Sequence, residues 1–256
     1  MASLKRLLCS RLPQAGQPIE LPAQEGRHAV QVLRLRNGQE VEIMDGRGGA
    51  MTAVLRIRGE QVFVEHPGSE VPHPMRSAAQ GEVLPLTLEL SVLKGDAMEW
   101  SVEKAVELGV ARLVPVLTAH TVVQIKNKGP EAFQARWQKI ADQSLKQCGR
   151  LERMQVDAPA SLDLLLAGAH SSPEHPRLWF DESTRGQTPM LAEWLSKSPV
   201  PSAARLLIGP EGGWSEMEIE LLERSCYRLS LGPLVLRAET AAICAMAVVG
   251  AHFRKG

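Results

Sequence analysis

The chain has 256 residues and a mass of 28.0 kDa, and it is 44% hydrophobic and 23% charged. These proportions are ordinary for a globular protein and exclude a disordered chain or a fibre. The longest apolar stretches, 84–93 and 241–251, are shorter than the roughly 20 residues that a membrane-spanning helix needs. The 29 basic residues balance the 29 acidic ones, so the net charge gives no sign of non-specific binding to nucleic acid.

The N-terminal part has the pattern of a small, mostly β domain. Strands are predicted at three segments of alternating apolar residues, 39–44, 50–57 and 61–65. Turns that contain glycine separate them, and a helix is predicted over 25–35, where apolar residues recur three or four apart. Basic residues outnumber acidic ones by nine to five over 1–59, which suits RNA contact and a solvated face equally well. We therefore expect a β-barrel-like domain at 1–70 and a linker containing Pro and Gly at 71–82.

From residue 83 onward, strands alternate with helices. Strands are predicted at 86–93, 110–117, 177–180, 205–208 and 227–231, and helices at 96–108, 130–148, 161–166, 190–197, 215–225 and 239–253. This alternation is typical of a parallel sheet with helices on both faces, so we expect an α/β domain at 83–256. Asp96 is expected to cap its helix, and Glu99 three residues later would complete a capping box.

The segment 206–218 (LLIGPEGGWSEME) indicates a ligand site. An apolar strand leads into a loop with two adjacent glycines, whose backbone can approach a ligand without hindrance from a Cβ atom. Ser215 and Glu218 have the spacing of a capping box, which determines where the next helix begins. The loop matches neither GxGxxG nor GxxxxGKS/T, and Glu211 would repel phosphate, so a dinucleotide or NTP site is disfavoured. A ligand at the carboxyl end of this strand and a glycine-rich turn without a ligand both fit the pattern.

The segment 231–240 (LGPLVLRAET) also leads from a strand into a helix. Leu234, Val235 and Leu236 are too apolar for an ordinary exposed loop, so we expect a ligand or a packed partner against them. Arg237 and Glu239 stand at the start of the helix, as functional groups or only as a local ion pair. The helix itself is rich in alanine, which indicates a buried or subunit-facing position.

The cysteines and histidines give no metal-binding pattern. The four cysteines are far apart in the sequence and form no CxxC, and the seven histidines form no HExxH. We therefore predict no metal site, and we expect reduced thiols in a cytoplasmic protein.

The two late segments together resemble the bacterial 16S ribosomal RNA uracil-N3-methyltransferases, the RsmE-type members of the SPOUT superfamily. Four further stretches match the same family in the same order: HAVQVLRL at 28–35 with Gly38 and Asp45-Gly46 after it, KGDAM at 94–98, EKAVELGV at 103–110, and QCGR at 147–150. The resemblance covers nearly the whole chain, although 151–201 matches only weakly. One departure is Lys146, which stands where the family often has an acidic residue. A role for a carboxylate at this position is therefore in doubt, and RNA contact by Lys146 is a hypothesis instead.

The resemblance implies a fold and a cofactor. The fold is a SPOUT-type parallel sheet with a C-terminal trefoil knot, preceded by a small PUA-like β-barrel domain that binds RNA. The knot would bring the two late loops into one pocket for S-adenosyl-L-methionine (SAM). The pocket residues that the motifs imply are Ile208, Gly209, Glu211, Gly212, Leu231, Leu236 and Thr240, with Leu117 and Thr118 at the end of an earlier strand.

The resemblance also implies a reaction, the methylation of N3 of uridine 1498 in 16S ribosomal RNA of the small subunit. Arg237 is the first choice for stabilising the uracil anion, followed by Arg150 and Lys94, and Glu239 or Glu211 is the candidate base. The candidate RNA contacts are Arg6, Arg34, Arg36 and Gln147. We expect a homodimer that acts on 16S rRNA or on the small ribosomal subunit. We expect no membrane partner.

Two alternatives remain at this point. A protein of the same fold could methylate tRNA or another ribosomal position. A non-catalytic RNA-binding protein of ribosome assembly could share the sequence pattern, but its pocket would no longer bind SAM.

Overall fold

The computed structural model describes residues 4–67, 76–77 (backbone only), 83–123, 125, 129–168, 171–182 and 188–254. The chain folds as two compact units. The first comprises Met1–Glu82 with Asp142–Arg153, and the second comprises Val83–Ala141 with Met154–Gly256. The first unit thus contains a segment that is remote in sequence from the N-terminal domain expected at 1–70. Most of the linker expected at 71–82 lies outside the described residues.

The first unit contains a mostly antiparallel sheet. Its elements are β1 (Arg6–Leu8), β2 (Ile19–Glu20), α1 (Ala23–Arg27) followed by a π-helical turn (His28–Val32), β3 (Glu40–Met44), β4 (Gly49–Arg58), β5 (Gln61–Glu65) and β6 (Arg76–Ser77). The strand order is β1-β3-β4-β5-β2, with β6 paired to β4, and only the β1–β3 pair is parallel. Among the described residues β1 and β2 end the sheet without pairing to each other, so the mostly β domain is confirmed as an open, curled half-barrel rather than a closed barrel.

Alternating side chains explain the strands that the sequence predicted here. Val41 and Ile43 of β3 and Val62 and Val64 of β5 are buried in one core, because every second residue of a strand points to the same face. The predicted helix over 25–35 is displaced: helical structure begins at Ala23 and ends at Val32. Strands β1 and β2 were not predicted, since two or three residues are too few to show an alternation.

The second unit is an α/β domain around a seven-stranded, fully parallel sheet. Its strands are β7 (Leu84–Ser91), β8 (Val110–Leu117), β9 (Gln155–Val156), β10 (Ala160–Ser161), β11 (Arg177–Phe180), β12 (Ala204–Ile208) and β13 (Tyr227–Leu229). Its helices are α2 (Asp96–Glu107), α3 (Pro130–Cys148), α4 (Leu162–Ala167), α5 (Leu191–Lys197), α6 (Glu216–Ser225) and α7 (Ala238–Phe253), of which α3 ends in the segment counted with the first unit. The strand order is β10-β8-β7-β12-β11-β13, with β9 paired to β8, which confirms the predicted parallel sheet.

The capping predictions have different outcomes. At α6 the capping box is present: Ser215 Oγ accepts a bond from the Glu218 N–H, and Glu218 Oε2 accepts one from the Ser215 N–H at 2.8 Å. At α2 the prediction is wrong, because Gly95 is the N-cap and Asp96 is already the first helical residue. Gly95 has φ +52°, a conformation that glycine adopts without steric cost.

A buried ion pair lies within the apolar core on one face of the second sheet. Leu207 and Trp179 form this core with side chains of α4 and α6. Glu89 of β7 accepts two bonds from Arg177 of β11, Nε to Oε2 at 2.8 Å and a second guanidinium nitrogen to Oε1 at 3.2 Å, and each side chain is 1% exposed. Burial raises the pKa of the Glu89 carboxyl, and the positive charge of Arg177 opposes that rise. Each charge therefore depends on the other, because an unpaired charge at this depth is strongly unfavourable.

No helix in the described part of the chain has the length and hydropathy needed to cross a membrane. Within the same residues, no group of three or more His, Cys, Asp or Glu side chains is placed to hold a metal ion.

We predict that Arg177→Met lowers the free energy of unfolding by about 3–5 kcal/mol, because it leaves the Glu89 carboxylate buried without its partner. Since a protonated carboxyl is less costly to bury, this loss should be largest at alkaline pH and should shrink as the pH falls. Urea unfolding at several pH values measures it. The matched control is the double variant Glu89→Leu/Arg177→Met, which should recover most of the stability; a single variant that loses less than about 1 kcal/mol would contradict the prediction.

Candidate functional site

A cavity of about 550 Å³ lies at the carboxyl ends of β11, β12 and β13. This volume is within the range of small-molecule sites, roughly 300–1,000 Å³. Phe180 and Ile208, the last residues of β11 and β12, are part of its wall, as is Ser230, one residue after β13. The three strands are neighbours and parallel, so the loops that follow them leave the same edge of the sheet.

Both segments that the sequence singled out contribute to this cavity. Of the nine residues expected around a cofactor, five line it: Ile208, Gly209, Glu211, Leu231 and Leu236. Leu234 and Val235 line it as well, and they are 74% and 51% exposed, so this apolar segment faces the open cavity instead of the core.

The other four expected residues do not line the cavity. Two of them contact neighbouring backbone or side chains instead. A Cβ atom on Gly212 would lie 3.1 Å from the Cβ of His120, so this glycine packs against a neighbouring loop. The backbone N–H of Thr118 donates to Thr121 Oγ1 at 2.9 Å. Leu117 and Thr240 are half-buried outside the cavity wall. Cofactor contact by these four residues stays a prediction.

Gly209 occupies a position where no side chain fits. A Cβ atom built on it would lie 2.7 Å from Nε1 of Trp214, whose indole packs over the loop. Trp214 in turn meets Trp179 edge to face, with ring centroids 6.4 Å apart. Because Gly209 has no side chain, the loop can pack directly against Trp214, which contacts Trp179 of the core.

The charged lining is predominantly acidic. Among the lining residues that the structure describes, Arg237 is the only cation, against the carboxylates of four residues: Asp181, Glu182, Glu211 and Glu239. Asp181 accepts a bond from Arg228 Nε at 3.0 Å, and Glu211 Oε1 accepts one from the backbone N–H of Lys94 at 3.3 Å. No ion pair joins Arg237 to Glu239 in the described structure, so both side chains remain available at the cavity. The excess of carboxylates favours a cationic ligand.

Sequence reasoning missed Asp181 and Glu182. They follow directly after β11, and the carboxyl end of a parallel strand was the signal that could have identified them.

A second missed feature is a clamp on the glycine loop. Nδ1 of His120 lies 3.0 Å from the carbonyl oxygens of both Gly212 and Gly213. Carbonyl oxygens only accept, so Nδ1 carries a proton and donates to them. One residue earlier, the backbone N–H of Ala119 donates to Glu218 Oε1 at 2.8 Å, while the other oxygen of this carboxylate completes the capping box. The loop after β8 thus holds both the glycine loop and the start of α6.

The remaining predicted residues belong to the first unit. Arg150 is buried there, and its Nε donates to the carbonyl of Glu152 at 2.7 Å. Arg6 donates to Glu42 and to the carbonyls of Lys146 and Gln147. Lys146, a hypothetical RNA contact, forms a half-buried ion pair with Glu25 at 2.8 Å.

Three of the predicted RNA contacts are exposed: Arg34, Arg36 and Gln147. Arg34 has φ +53°, and among the described residues it is the only one other than glycine in the left-handed region. Such a conformation is unfavourable for a residue with a Cβ atom, by about 1–2 kcal/mol. An exposed, charged residue held in it is a candidate functional position.

Two family models match different parts of the chain. Residues 80–250 match the family model of the RNA methyltransferase domain, and residues 21–65 match that of the RNA methyltransferase PUA domain. The ribosomal RNA small subunit methyltransferase E of Synechocystis is 31% identical over 223 residues, which are 86% of this chain and 68% of that protein. Its Bacillus subtilis counterpart is 26% identical over 90% of this chain and 88% of its own length.

Two solved structures are similar along almost the entire chain. The Legionella pneumophila protein Lpg2936, solved with its bound cofactor SAM, has a TM-score of 0.84 and 30% identity over 98% of both chains. The ribosomal RNA small subunit methyltransferase E of Neisseria gonorrhoeae, bound to S-adenosyl methionine, has a TM-score of 0.76 and 28% identity over 97% of both chains. The chain belongs to the ribosomal RNA small subunit methyltransferase E family.

Proposed function

We propose that this protein transfers the methyl group of SAM to N3 of one uridine, 1498, in 16S ribosomal RNA of the small subunit. The observation that carries the proposal is the single cavity that both motif loops line, with an apolar wall, four carboxylates and Arg237. The names of the curated relatives support the RNA substrate, and the SAM-bound structures support the cofactor.

The residues of the cavity fit SAM. Bound SAM supplies an activated methyl group on a positively charged sulfur, which the protein itself cannot provide. Ile208, Leu231 and Leu236 would offer apolar surface to the cofactor, and the excess of carboxylates among the described lining residues favours a cation. The backbone of Gly209, which has no Cβ atom, lets a ligand approach the loop closely.

The side chains at the cavity then serve the uracil. Its N3 carries a proton and lies on the Watson–Crick edge, so the base must be unpaired and N3 must lose this proton. Arg237 donates hydrogen bonds to the uracil carbonyl oxygens and stabilises the negative charge that develops there. Glu239 or Glu211 accepts the N3 proton, and the backbone N–H of Lys94 orients Glu211. The side chain of Lys94 is a weaker candidate for the cation, and the burial of Arg150 in the first unit argues against that residue.

The first unit would hold the RNA. In this proposal residues 1–70 form the PUA-like RNA-binding domain, 71–82 link it to the catalytic domain, and 83–256 form the SPOUT methyltransferase domain. Arg34 and Arg36 contact phosphate, and Gln147 contacts the RNA from an exposed position. Arg6 contributes by holding the Lys146 and Gln147 carbonyls, each at 3.0 Å.

The proposal includes a trefoil knot and a homodimer in the cytoplasm. The central position of the late strand β12, between β7 and β11, is consistent with a knot that gathers the two late loops. Two exposed apolar regions support the dimer: Leu234-Val235, and Val248 of α7, which is 41% exposed on a helix that buries its other face.

The test of this function is a methylation assay with the purified protein, 16S ribosomal RNA and SAM that carries a labelled methyl group. We expect one methylated uridine, at N3 of 1498, located by mass spectrometry, and SAM binding in calorimetry. Methylation of tRNA or of another ribosomal position instead would favour the alternative substrate. A protein that binds RNA but no SAM would be a non-catalytic factor.

Single-residue controls separate the chemical roles within the same assay. Arg237→Gln should lower kcat about 10²–10³-fold, the usual effect of losing a donor to a developing anion. Glu211→Gln and Glu239→Gln are compared in single-turnover rates across pH, because loss of the base removes the rise of the rate with pH. Unchanged rates for both variants would exclude a carboxylate base at this site.

We predict that His120→Ala weakens SAM binding about tenfold, because the glycine loop loses its clamp, a contribution of roughly 1.4 kcal/mol. His120→Asn should restore most of the affinity, since its amide N–H can donate from a position near that of Nδ1. Calorimetry with SAM measures both variants. His175→Ala, at an exposed histidine that does not line the cavity, is the control; equal affinities for all four proteins would contradict the clamp.

We predict that Arg34→Gly has opposite effects on stability and on RNA binding. Glycine removes the cost of the left-handed conformation, so the free energy of unfolding should rise by about 1 kcal/mol. The loss of the charge should weaken RNA binding and flatten its salt dependence. Arg34→Ala is the matched variant: it should lose RNA binding equally without gaining stability. If RNA binding is unchanged in both, Arg34 is not an RNA contact.

A further inference from the structure

The first unit contains a second cavity, of about 310 Å³, between two loops. The loop after β1 contributes Arg11, Gln14 and Gln17, and the turn after β3 contributes Asp45 and Arg47. Because β1 and β3 are neighbouring parallel strands, both loops leave the same edge of the sheet. The family resemblance rests partly on Asp45-Gly46, to which the proposed catalytic mechanism assigns no role.

Hydrogen bonds fix the backbone on both sides of this cavity. Asp45 Oδ1 accepts bonds from the backbone N–H groups of Arg47 at 2.7 Å and Gly49 at 3.0 Å. On the other side, the N–H of Gln17 donates to the carbonyl of Gln14 at 3.0 Å and closes a turn. The cavity is therefore a feature of two ordered turns that share one sheet edge.

The charges at this cavity suit an anion. Arg11 and Arg47 are exposed, and neither forms an ion pair with any residue that the structure describes. By contrast, the guanidiniums of Arg6, Arg56 and Arg58 in the same unit are paired with carboxylates. Asp45 is the one acidic residue in the described part of the lining, and its Oδ1 already accepts two N–H groups. Two arginines that line one cavity can supply guanidinium donors to the oxygens of a phosphate group.

The other polar groups suit a nucleobase. The side-chain amides of Gln14 and Gln17 each offer donors and an acceptor, as the edge of an unpaired base requires. Ile19, buried at 7% exposure, supplies an apolar floor. A volume of about 310 Å³ accommodates a small group and excludes a duplex. Recognition of single bases in unpaired RNA commonly combines such contacts.

We propose that the cavity formed by Arg11, Gln14, Gln17 and Arg47 binds one unpaired nucleotide of the RNA substrate, with its phosphate between the two arginines and its base against the two glutamines. This inference rests on the proposed function, because it takes the substrate to be RNA. It assigns part of the RNA recognition to a site that lies outside the lining of the catalytic cavity.

The test compares Arg11→Gln, Arg47→Gln and the double variant with Arg27→Gln, an exposed arginine of the same unit that does not line the cavity. RNA binding is measured in the absence of SAM over a range of salt concentrations, and methylation kinetics are measured in parallel. Because the two guanidiniums hold one phosphate, the salt slope of the double variant should fall by about 0.7, the value for one contact to a single strand. The loss in the double variant should be smaller than the sum of the two single losses.

The double variant should also change the methylation kinetics. KM for RNA should rise about tenfold in the double variant, while kcat and the affinity for SAM stay at the wild-type value, since neither arginine lines the catalytic cavity. Gln17→Ala should raise KM without changing the salt slope, because an amide neutralises no phosphate.

The outcomes separate this inference from the proposed function. Double-variant binding and salt slope equal to those of Arg27→Gln would overturn the nucleotide site, even if the wild-type protein methylates its RNA. A wild-type protein that binds RNA through Arg11 and Arg47 but transfers no methyl group would overturn the proposed function and leave the nucleotide site in place. Circular dichroism of each variant confirms that the exposed substitutions leave the fold intact.

Discussion

The parallel pairing of β11, β12 and β13 is the constraint on which the catalytic cavity depends. The last residues of the three strands are level with one another, since Phe180 pairs with both Ile208 and Leu229. Any chain segment that follows these strands must therefore start at one edge of the sheet. The glycine loop, the acidic residues after β11 and the apolar segment after β13 consequently share a cavity although they are far apart in sequence.

The core supports the acidic wall of this cavity through a short series of contacts. Trp179 is buried in β11, and the guanidinium of Arg228 lies 4.6 Å from the centre of its ring. Arg228 in turn holds Asp181 at the cavity. The same strand carries Arg177, whose buried pairing with Glu89 keeps two charges within the apolar face. Stability and site geometry thus depend on the same strand, and loosening its packing would move a carboxylate of the cavity.

The neutral net charge of the chain conceals two different local environments. The described residues that line the cavity of the second unit include four carboxylates and one guanidinium, which favours a cationic ligand. The cavity of the first unit has, within the part of the chain that the structure describes, two arginines and one carboxylate that already accepts two backbone bonds, which favours an anion. A sulfonium cofactor and a polyanionic substrate would therefore each meet the opposite charge. Net charge alone was a poor guide to this protein because it sums over the whole chain and hides local regions of opposite sign.

The sequence by itself determined most of the elements and the two motif loops, because alternation, glycine turns and the Ser215–Glu218 capping box are local patterns. It did not show β1 and β2, the cap at Gly95, the clamp by His120 or the role of Asp181 in the cavity wall. His120 reaches carbonyls 92 and 93 residues away, and nothing in its neighbouring residues encodes that contact. Only the tertiary structure decided which side chains share a cavity, since strand order and register bring together residues whose own sequence neighbourhoods are unrelated.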